Sequence, residues 1–358
     1  AVELPYQQVA QVLERILGLK VAVSALERQN GAMAETVEAY WEASPPAPAP
    51  DGQFLVISGD GKGVPMRKPP AAPALPVYDP HAGPKPERKK MAIVGAAYDA
   101  KAHVRTPEQV WRALFQLPAP AANDENISPR PTPIAKAVRA SLTTEETPGV
   151  PVNARETIFA WLGEQVQQRD PAAQKAVVVI MDGQGCLWDD AANALGERER
   201  VEILDVLHAT SKLWSLLSLF HEPAHQLDAM KCYTLALLQG QVAELLIWFR
   251  HWSDELALSS SERQRVDKVC GYFEKHQHRM HYHQYLAAGY PIASGVIEGA
   301  CRHVVKDRLE RTGMHWTLPG AQAMLKLRCV AINEQWDEFT RYRIQRETLR
   351  LYPERDLQ

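Results

Sequence analysis

Cysteine is scarce in this 358-residue chain and never clustered. Cys186, Cys232, Cys270, Cys301 and Cys329 are odd in number, far apart and without a Cys-x-x-Cys pair, which argues against a disulfide framework and against a zinc ribbon. A reducing cytoplasm is the expected compartment. Long apolar runs are also missing. The segment 233–249 is broken by Gln, Gly and Glu before it reaches the ~18 residues of a membrane span, and no basic segment followed by an apolar one signals export. An excess of either charge is absent too: 40 Lys and Arg stand against 43 Asp and Glu, so any nucleic-acid surface must be local. Proline, by contrast, is abundant, with 26 residues or about 7% against a usual ~5%, and some segments must be linkers or long loops.

The length suggests two or three structural units. Segments 5–17 and 24–40 read as amphipathic helices around Gly18-Leu19-Lys20, a helix-turn-helix-like spacing over residues 1–44. Six acidic and three basic side chains make that segment a poor complement to phosphate, so DNA reading and plain packing or dimer contact both remain open. A Pro/Ala linker follows over 45–52. The run 54–57 reads as a buried strand ending in a turn at Ser58-Gly59-Asp60-Gly61, and 91–98 as another strand, with proline-rich loops at 69–86 and 117–133. A helix is expected over 154–168, strands over 175–181 and 201–207, and Thr210 as the cap of the next helix. From 221 to 290 the pattern is helical, with Val242, Leu245, Leu246 and Phe249 at helical spacing. Ser294 opens a later helix with Val296, Ile297, Ala300, Cys301, Val304 and Val305 on one face and Glu298 at its edge.

Three carboxylates stand out: Asp60 and Asp182, each after an apolar run and before a glycine, and Glu298, with separations of 122 and 116 residues. Hard divalent cations need only a few carboxylates projecting from rigid elements into one cleft. Each Asp-Gly taken alone is a common turn dipeptide. Arg302, Lys306, Arg308 and Arg311 follow Glu298, and Arg302 and Lys306 continue its line at i+4 and i+8, a face suited to phosphates or simply solvated. Trp316 is either a base-stacking side chain or core. His276, His278, His281 and His283 lack Cys or Asp partners at ligand spacing, so a zinc site there is disfavoured.

The blocks Gly59-Asp60-Gly61-Lys62-Gly63-Val64-Pro65-Met66, Met181-Asp182-Gly183-Gln184-Gly185-Cys186-Leu187-Trp188 and Gly289-Tyr290-Pro291-Ile292-Ala293-Ser294-Gly295-Val296-Ile297-Glu298-Gly299-Ala300-Cys301-Arg302-His303 resemble, in that order, the catalytic blocks of bacterial insertion-sequence transposases of the ISKra group, related to Mutator-like transposases. The similarity extends through 201–213 and 306–353. Asp205-Val206-Leu207-His208 matches the Asp-x-x-His element of the Mutator-like group, which leaves His208 either touching a scissile phosphate or bonded to Asp205.

The resemblance implies an α/β, ribonuclease H-like mixed sheet with an inserted all-helical subdomain and an N-terminal helical segment. Its parts are 1–44, a linker 45–52, the first part of the core 53–221, an insertion 222–290, the final core part 291–330 and a C-terminal helical tail 331–358. It implies a metal-dependent DNA transposase that hydrolyses element ends and transfers strands. Asp60, Asp182 and Glu298 would hold two Mg²⁺ ions, with Mn²⁺ able to substitute, and His208 would join them. Double-stranded DNA is the implied partner, contacted by Arg302, Lys306, Arg308, Arg311 and Trp316, within a homodimer or larger assembly at the bacterial nucleoid. The rival readings are an inactive DNA-binding or self-associating copy, and a nuclease without strand transfer.

Overall fold

The computed structural model describes residues 2–46, 52–67, 89–118, 129–147, 149–311 and 313–352. Most of the expected linker, the loop at 69–86 and much of the loop at 117–133 lie outside these residues.

The centre is a five-stranded mixed sheet built from β1 (Phe54–Pro65), β2 (Lys89–Ala100), β3 (Ile134–Leu142), β6 (Ala176–Met181) and β7 (Arg200–Leu204), in the order β3-β2-β1-β6-β7. β2 is antiparallel to β1 and to β3, whereas β6 is parallel to β1 and to β7. Two short strands, β4 (Thr144–Thr147) and β5 (Val150–Val152), form a separate hairpin. Because alternate side chains leave opposite faces of a strand, the near-continuous apolar runs of β1 and β6 supply both faces at once. Leu55, Ile57, Val177, Val179 and Met181 pack against helices Ala154–Arg169 and Gly185–Leu195. On the other face, Phe54, Val56, Val178 and Ile180 meet the helical segment after β7. Farther along that same face, Val94, Ala96, Val138 and Ala140 meet helix Leu318–Ile332.

Residues 222–290 contain helices and no strand: Gln226–Leu238, Val242–Glu255, Ser260–His276 and Tyr282–Ala287 follow helix Val206–Phe220. Val242, Leu245, Leu246 and Phe249 are buried together, each contributing roughly 1.5–3 kcal/mol of apolar burial. Ser259 and Glu262 close a capping box at the start of the third of these helices.

Several expectations need correction. The strand beginning at Phe54 does not turn at Gly59; it runs on to Pro65, and Asp60 pairs with Val94 in mid-strand. Gly59, Gly61 and Gly63 are alternate strand positions on one face. A Cβ on Gly59 would sit 2.7 Å from the Phe159 ring, so Gly59 marks close packing of a helix on the strand, while Gly61 and Gly63 make room for the Met91 and Lys89 side chains of β2. β7 stops at Leu204 and Asp205, not Thr210, caps the next helix, its side chain accepting from the Leu207 N–H at 2.7 Å. Strand β3 and helices Pro107–Leu114 and Gly185–Leu195 were not anticipated.

The N-terminal helices Tyr6–Leu17, Val23–Ala34 and Val37–Ala43 are docked on the core. Val37, Tyr40 and Trp41 share a buried cluster with Phe339, the Tyr40 hydroxyl donates to Glu338 at 3.2 Å, and the Trp41 indole donates to Gln335 at 3.1 Å. Helices Leu318–Ile332 and Trp336–Leu351 together are therefore the platform for the N-terminal segment. No helix among the described residues is long and apolar enough to cross a membrane.

Candidate functional site

Strand register brings the acidic residues into line. β1 pairs with β6 from Phe54↔Ala176 to Ile57↔Val179, and the Ser58 hydroxyl extends the tie to the Ile180 carbonyl. β6 pairs with β7 from Val177↔Arg200 to Met181↔Leu204, and the Asp205 N–H donates to the Met181 carbonyl at 2.9 Å. Carried forward, these registers set Asp60, Asp182 and Asp205 level on three neighbouring strands, which lie ~4.8 Å apart in any sheet. They fall on the face that Phe54, Val56, Val178 and Ile180 share with the helical insertion.

Asp205 is fully buried and fastens Glu298 to this row. One of its oxygens caps helix Val206–Phe220, and the other accepts both the backbone N–H of Ser294, at 3.1 Å, and the Ser294 hydroxyl. Ser294 begins helix Gly295–Ala300, so the Asp205 clasp delivers Glu298 one turn later beside the strand end. Ligand atoms of Asp205, His208 and Glu298 lie within 4.8 Å of one another, the one such group of three among the described residues. The two oxygens of Asp205 bond to Leu207 and Ser294, and no hydrogen bond joins them to the His208 ring.

Asp60, on β1, lies outside that 4.8 Å group and is held by its own contacts. Its Oδ2 accepts from the Cys301 thiol at 3.3 Å and its Oδ1 from its own strand's Gly61 N–H at 2.6 Å. Burial first, then the Asp60 charge, push the Cys301 thiol far up, so it stays a donor. The Glu298 carboxyl is raised by partial burial and by the charges of Asp205 and Asp60, with His208 opposing. Crowded carboxylates of this kind are what a bound cation would relieve.

Asp182 stands outside the 4.8 Å group and is held differently. Its Oδ1 accepts from the Gln184 N–H at 2.9 Å, and its carbonyl accepts from the Trp188 indole at 2.7 Å. The Arg279 guanidinium lies 4.1 Å over the Trp188 ring, pairs with Glu202 of β7 at 2.7 Å, and reaches the His276 Nδ1 at 3.2 Å. A guanidinium only donates, so Nδ1 must accept and the ring proton belongs on Nε2, beside Gly183. Burial, then Arg279 and Lys275, lower His276 to about 4 and keep it neutral. The Tyr272 ring occupies the space a Gly183 Cβ would need. The insertion thus braces the Asp182 loop through Tyr272, His276 and Arg279, of which the sequence drew attention to His276 alone, as a disfavoured zinc ligand.

The basic residues after Glu298 are dispersed. Segment Cys301–Lys306 is a π-helix, whose i→i+5 turn breaks the i+4, i+8 line that would have joined Arg302 and Lys306 to Glu298. Arg302 is exposed and 3.7 Å from Asp307; Lys306 is exposed. Arg311 is exposed, with its guanidinium on the Asp307 and Glu3 carbonyls. Arg308 is not at the surface: it is 1% exposed, with its guanidinium 5.1 Å from the Tyr6 ring and 4.9 Å from the Trp316 ring. Burial lowers it to about 10. Trp316 is also buried, its indole N–H donating to the Leu309 carbonyl at 3.0 Å, so neither side chain can meet DNA without unpacking. The four histidines of 276–283 form no metal-binding group among the described residues.

No family model matches the chain, and neither the curated proteins nor the solved structures contain a match.

Proposed function

We propose that the chain is a metal-dependent DNA transposase built on a ribonuclease H-like core, hydrolysing phosphodiesters at element ends and joining the freed ends to target DNA. The observation that carries this reading is the alignment of Asp60 and Asp182 on neighbouring parallel strands, with Glu298 brought to the same face by a helix that follows the helical insertion.

The donor set fits hard divalent cations. Asp60, Asp182 and Glu298 offer carboxylate oxygens, His208 adds an imidazole, and the Glu298 carboxyl, raised first by burial and then by the neighbouring Asp205 and Asp60 charges, is one that Mg²⁺ or Mn²⁺ would stabilise in its ionised form. Ions held there would lower the pKa of an attacking water and stabilise charge on the attacking and leaving oxygens. The chain's own work is positional. Asp205 fixes the approach of the Glu298 helix, the Cys301 thiol orients Asp60, and Trp188 with Arg279 fixes the Asp182 loop. His208, in the first turn of the helix that Asp205 caps, would contact a phosphate of the substrate in this reading. A homodimer or larger assembly and residence at the nucleoid belong to this reading, since two element ends must be joined in one reaction.

The test incubates the protein with labelled duplexes carrying the DNA that flanks its coding sequence, together with plasmid, in Mg²⁺ or Mn²⁺. Cleaved ends and joined products are expected, and Glu298→Gln should slow both by more than the ~10 to 100-fold typical of changes around metal ligands. Cleavage that survives EDTA or Glu298→Gln would overturn the assignment, and cleavage without joining would reduce the activity to a nuclease.

A further inference from the structure

A cavity of about 690 Å³ opens beside the carboxylate group, between the end of β2, the segment 130–133 and the backbone at 206–207 and 289–296. That volume lies within the ~300–1,000 Å³ of small-molecule sites. Val206 and Val296 are shared walls: Val206 follows Asp205, and Val296 lies two residues before Glu298. Its charge is one-sided, because Lys101, Arg105 and Arg130 line it and no Asp or Glu does among the described residues. Arg105 is anchored by the Tyr290 carbonyl at 2.8 Å and the His103 carbonyl at 3.1 Å, and burial together with Arg130 pulls it below its usual value. The Arg130 guanidinium reaches within 3.9 Å of where a Cβ on Gly295 would stand, at the start of the Glu298 helix. Tyr98 is 5% exposed and lines the same cavity, and its hydroxyl has no hydrogen-bond partner among the described residues. Two guanidinium groups on the same cavity wall without a carboxylate, an apolar wall and a tyrosine hydroxyl together describe a site for a phosphate attached to a flat, weakly polar ring.

We infer that this cavity holds one nucleotide, its base against the Val206 and Val296 wall and the Tyr98 hydroxyl, and its phosphate between Arg105 and Arg130. Resting on the proposed transposase reading, the inference assigns the site to an unpaired nucleotide next to the bond being cut. A free nucleotide offers the same chemistry, so the experiment separates the two sources.

Wild-type protein and the variants Arg130→Ala and Tyr98→Phe, singly and combined, are titrated in Ca²⁺ with a blunt DNA duplex, the same duplex bearing a short unpaired 3′ overhang, and dAMP. Thermal unfolding of each variant checks its fold; neither substitution removes a contact that anchors the backbone. The wild type should prefer the overhang by about tenfold or more, the double variant should lose that preference, and Arg130→Ala should flatten the salt dependence by ~0.7 per lost single-strand phosphate contact. Overhang binding that dAMP does not displace identifies a strand end, whereas displacement by dAMP identifies a free nucleotide; either supports the site. Equal affinity for blunt and overhang duplexes, or a preference that survives the double substitution, overturns it. Metal-dependent cleavage by the wild type is measured alongside. Cleavage without overhang preference defeats this inference alone, and overhang preference without cleavage defeats the transposase reading alone.

Discussion

Asp205 is the carboxylate whose removal should cost the most stability and whose role differs most from that of Glu298. In Asp205→Ala the helix Val206–Phe220 loses its cap, worth ~1 kcal/mol. The buried Ser294 N–H loses its acceptor, at about 1–3 kcal/mol, while the Ser294 hydroxyl can rotate to another partner. The sum is about 2–4 kcal/mol, a large share of a typical total of 5–15 kcal/mol. Asp205→Asn should do little better, because the amide that replaces one oxygen faces a donor at either Leu207 or Ser294. Glu298→Gln, an exposed substitution, should stay within ~0.5 kcal/mol while abolishing metal-dependent chemistry. Urea unfolding followed by circular dichroism reads the first set, and Mn²⁺ titration reads the second. A loss below about 1 kcal/mol in Asp205→Ala, or an equal loss in Glu298→Gln, would show that the clasp on Ser294 does not hold the site together.

The remaining predictions concern the bracing residues and the buried aromatic pocket. His276, lowered to about 4 in the fold against ~6.5 unfolded, makes the unfolded chain bind more protons between those values, so stability should fall as pH drops from 6.5 toward 4. His276→Gln should flatten that slope in unfolding measured at pH 7.5, 6 and 5; an identical slope in both proteins would discount the buried imidazole. Gly183→Ala should destabilise by ~1–3 kcal/mol through overlap with the Tyr272 ring, and a double-mutant cycle with Tyr272→Ala should recover part of it. Additive losses would place the strain elsewhere. Trp316→Ala should cost ~3–5 kcal/mol and leave the salt dependence of DNA binding unchanged, whereas each of Arg302→Ala and Lys306→Ala should flatten it by ~0.9 if it meets a phosphate. Weaker DNA binding by Trp316→Ala at unchanged stability would return that side chain to the interface.

The strands bearing the site were legible because β1 and β6 are buried on both faces, and a run such as Val177 to Met181 has no other economical conformation. The insertion was legible from helical periodicity alone. What misled was local chemistry read without its partners. Gly59, Gly61 and Gly63 carry turn propensity, but pairing with β2 keeps all three in a strand, and only Gly59 lies under the Phe159 ring. Strand β3 follows a proline-rich loop and carries charged Lys136 and Arg139 among its apolar residues, which weakens the alternation that would announce it. For the site, the sequence supplied Asp60, Asp182, Glu298 and His208, while register supplied the row that includes Asp205. Arg308 and Trp316 show the limit: a basic residue and an indole near a carboxylate read as a nucleic-acid surface until Tyr6, some three hundred positions away, is seen to cover them.

The π-turn at Cys301–Lys306 makes one helix run in two phases. Upstream, the phase aims Glu298 along the strand ends and Cys301 at Asp60; downstream, after the extra residue, it aims Arg308 between Tyr6 and Trp316. A uniform α-helix advances ~100° per residue, so deleting one residue from that turn would leave the first phase standing and rotate the second by about that angle. The placement of Glu298 and the N-terminal anchorage are therefore separable by a change in chain length of one, with no substitution at all. Homologues should keep the count between Glu298 and Arg308 constant.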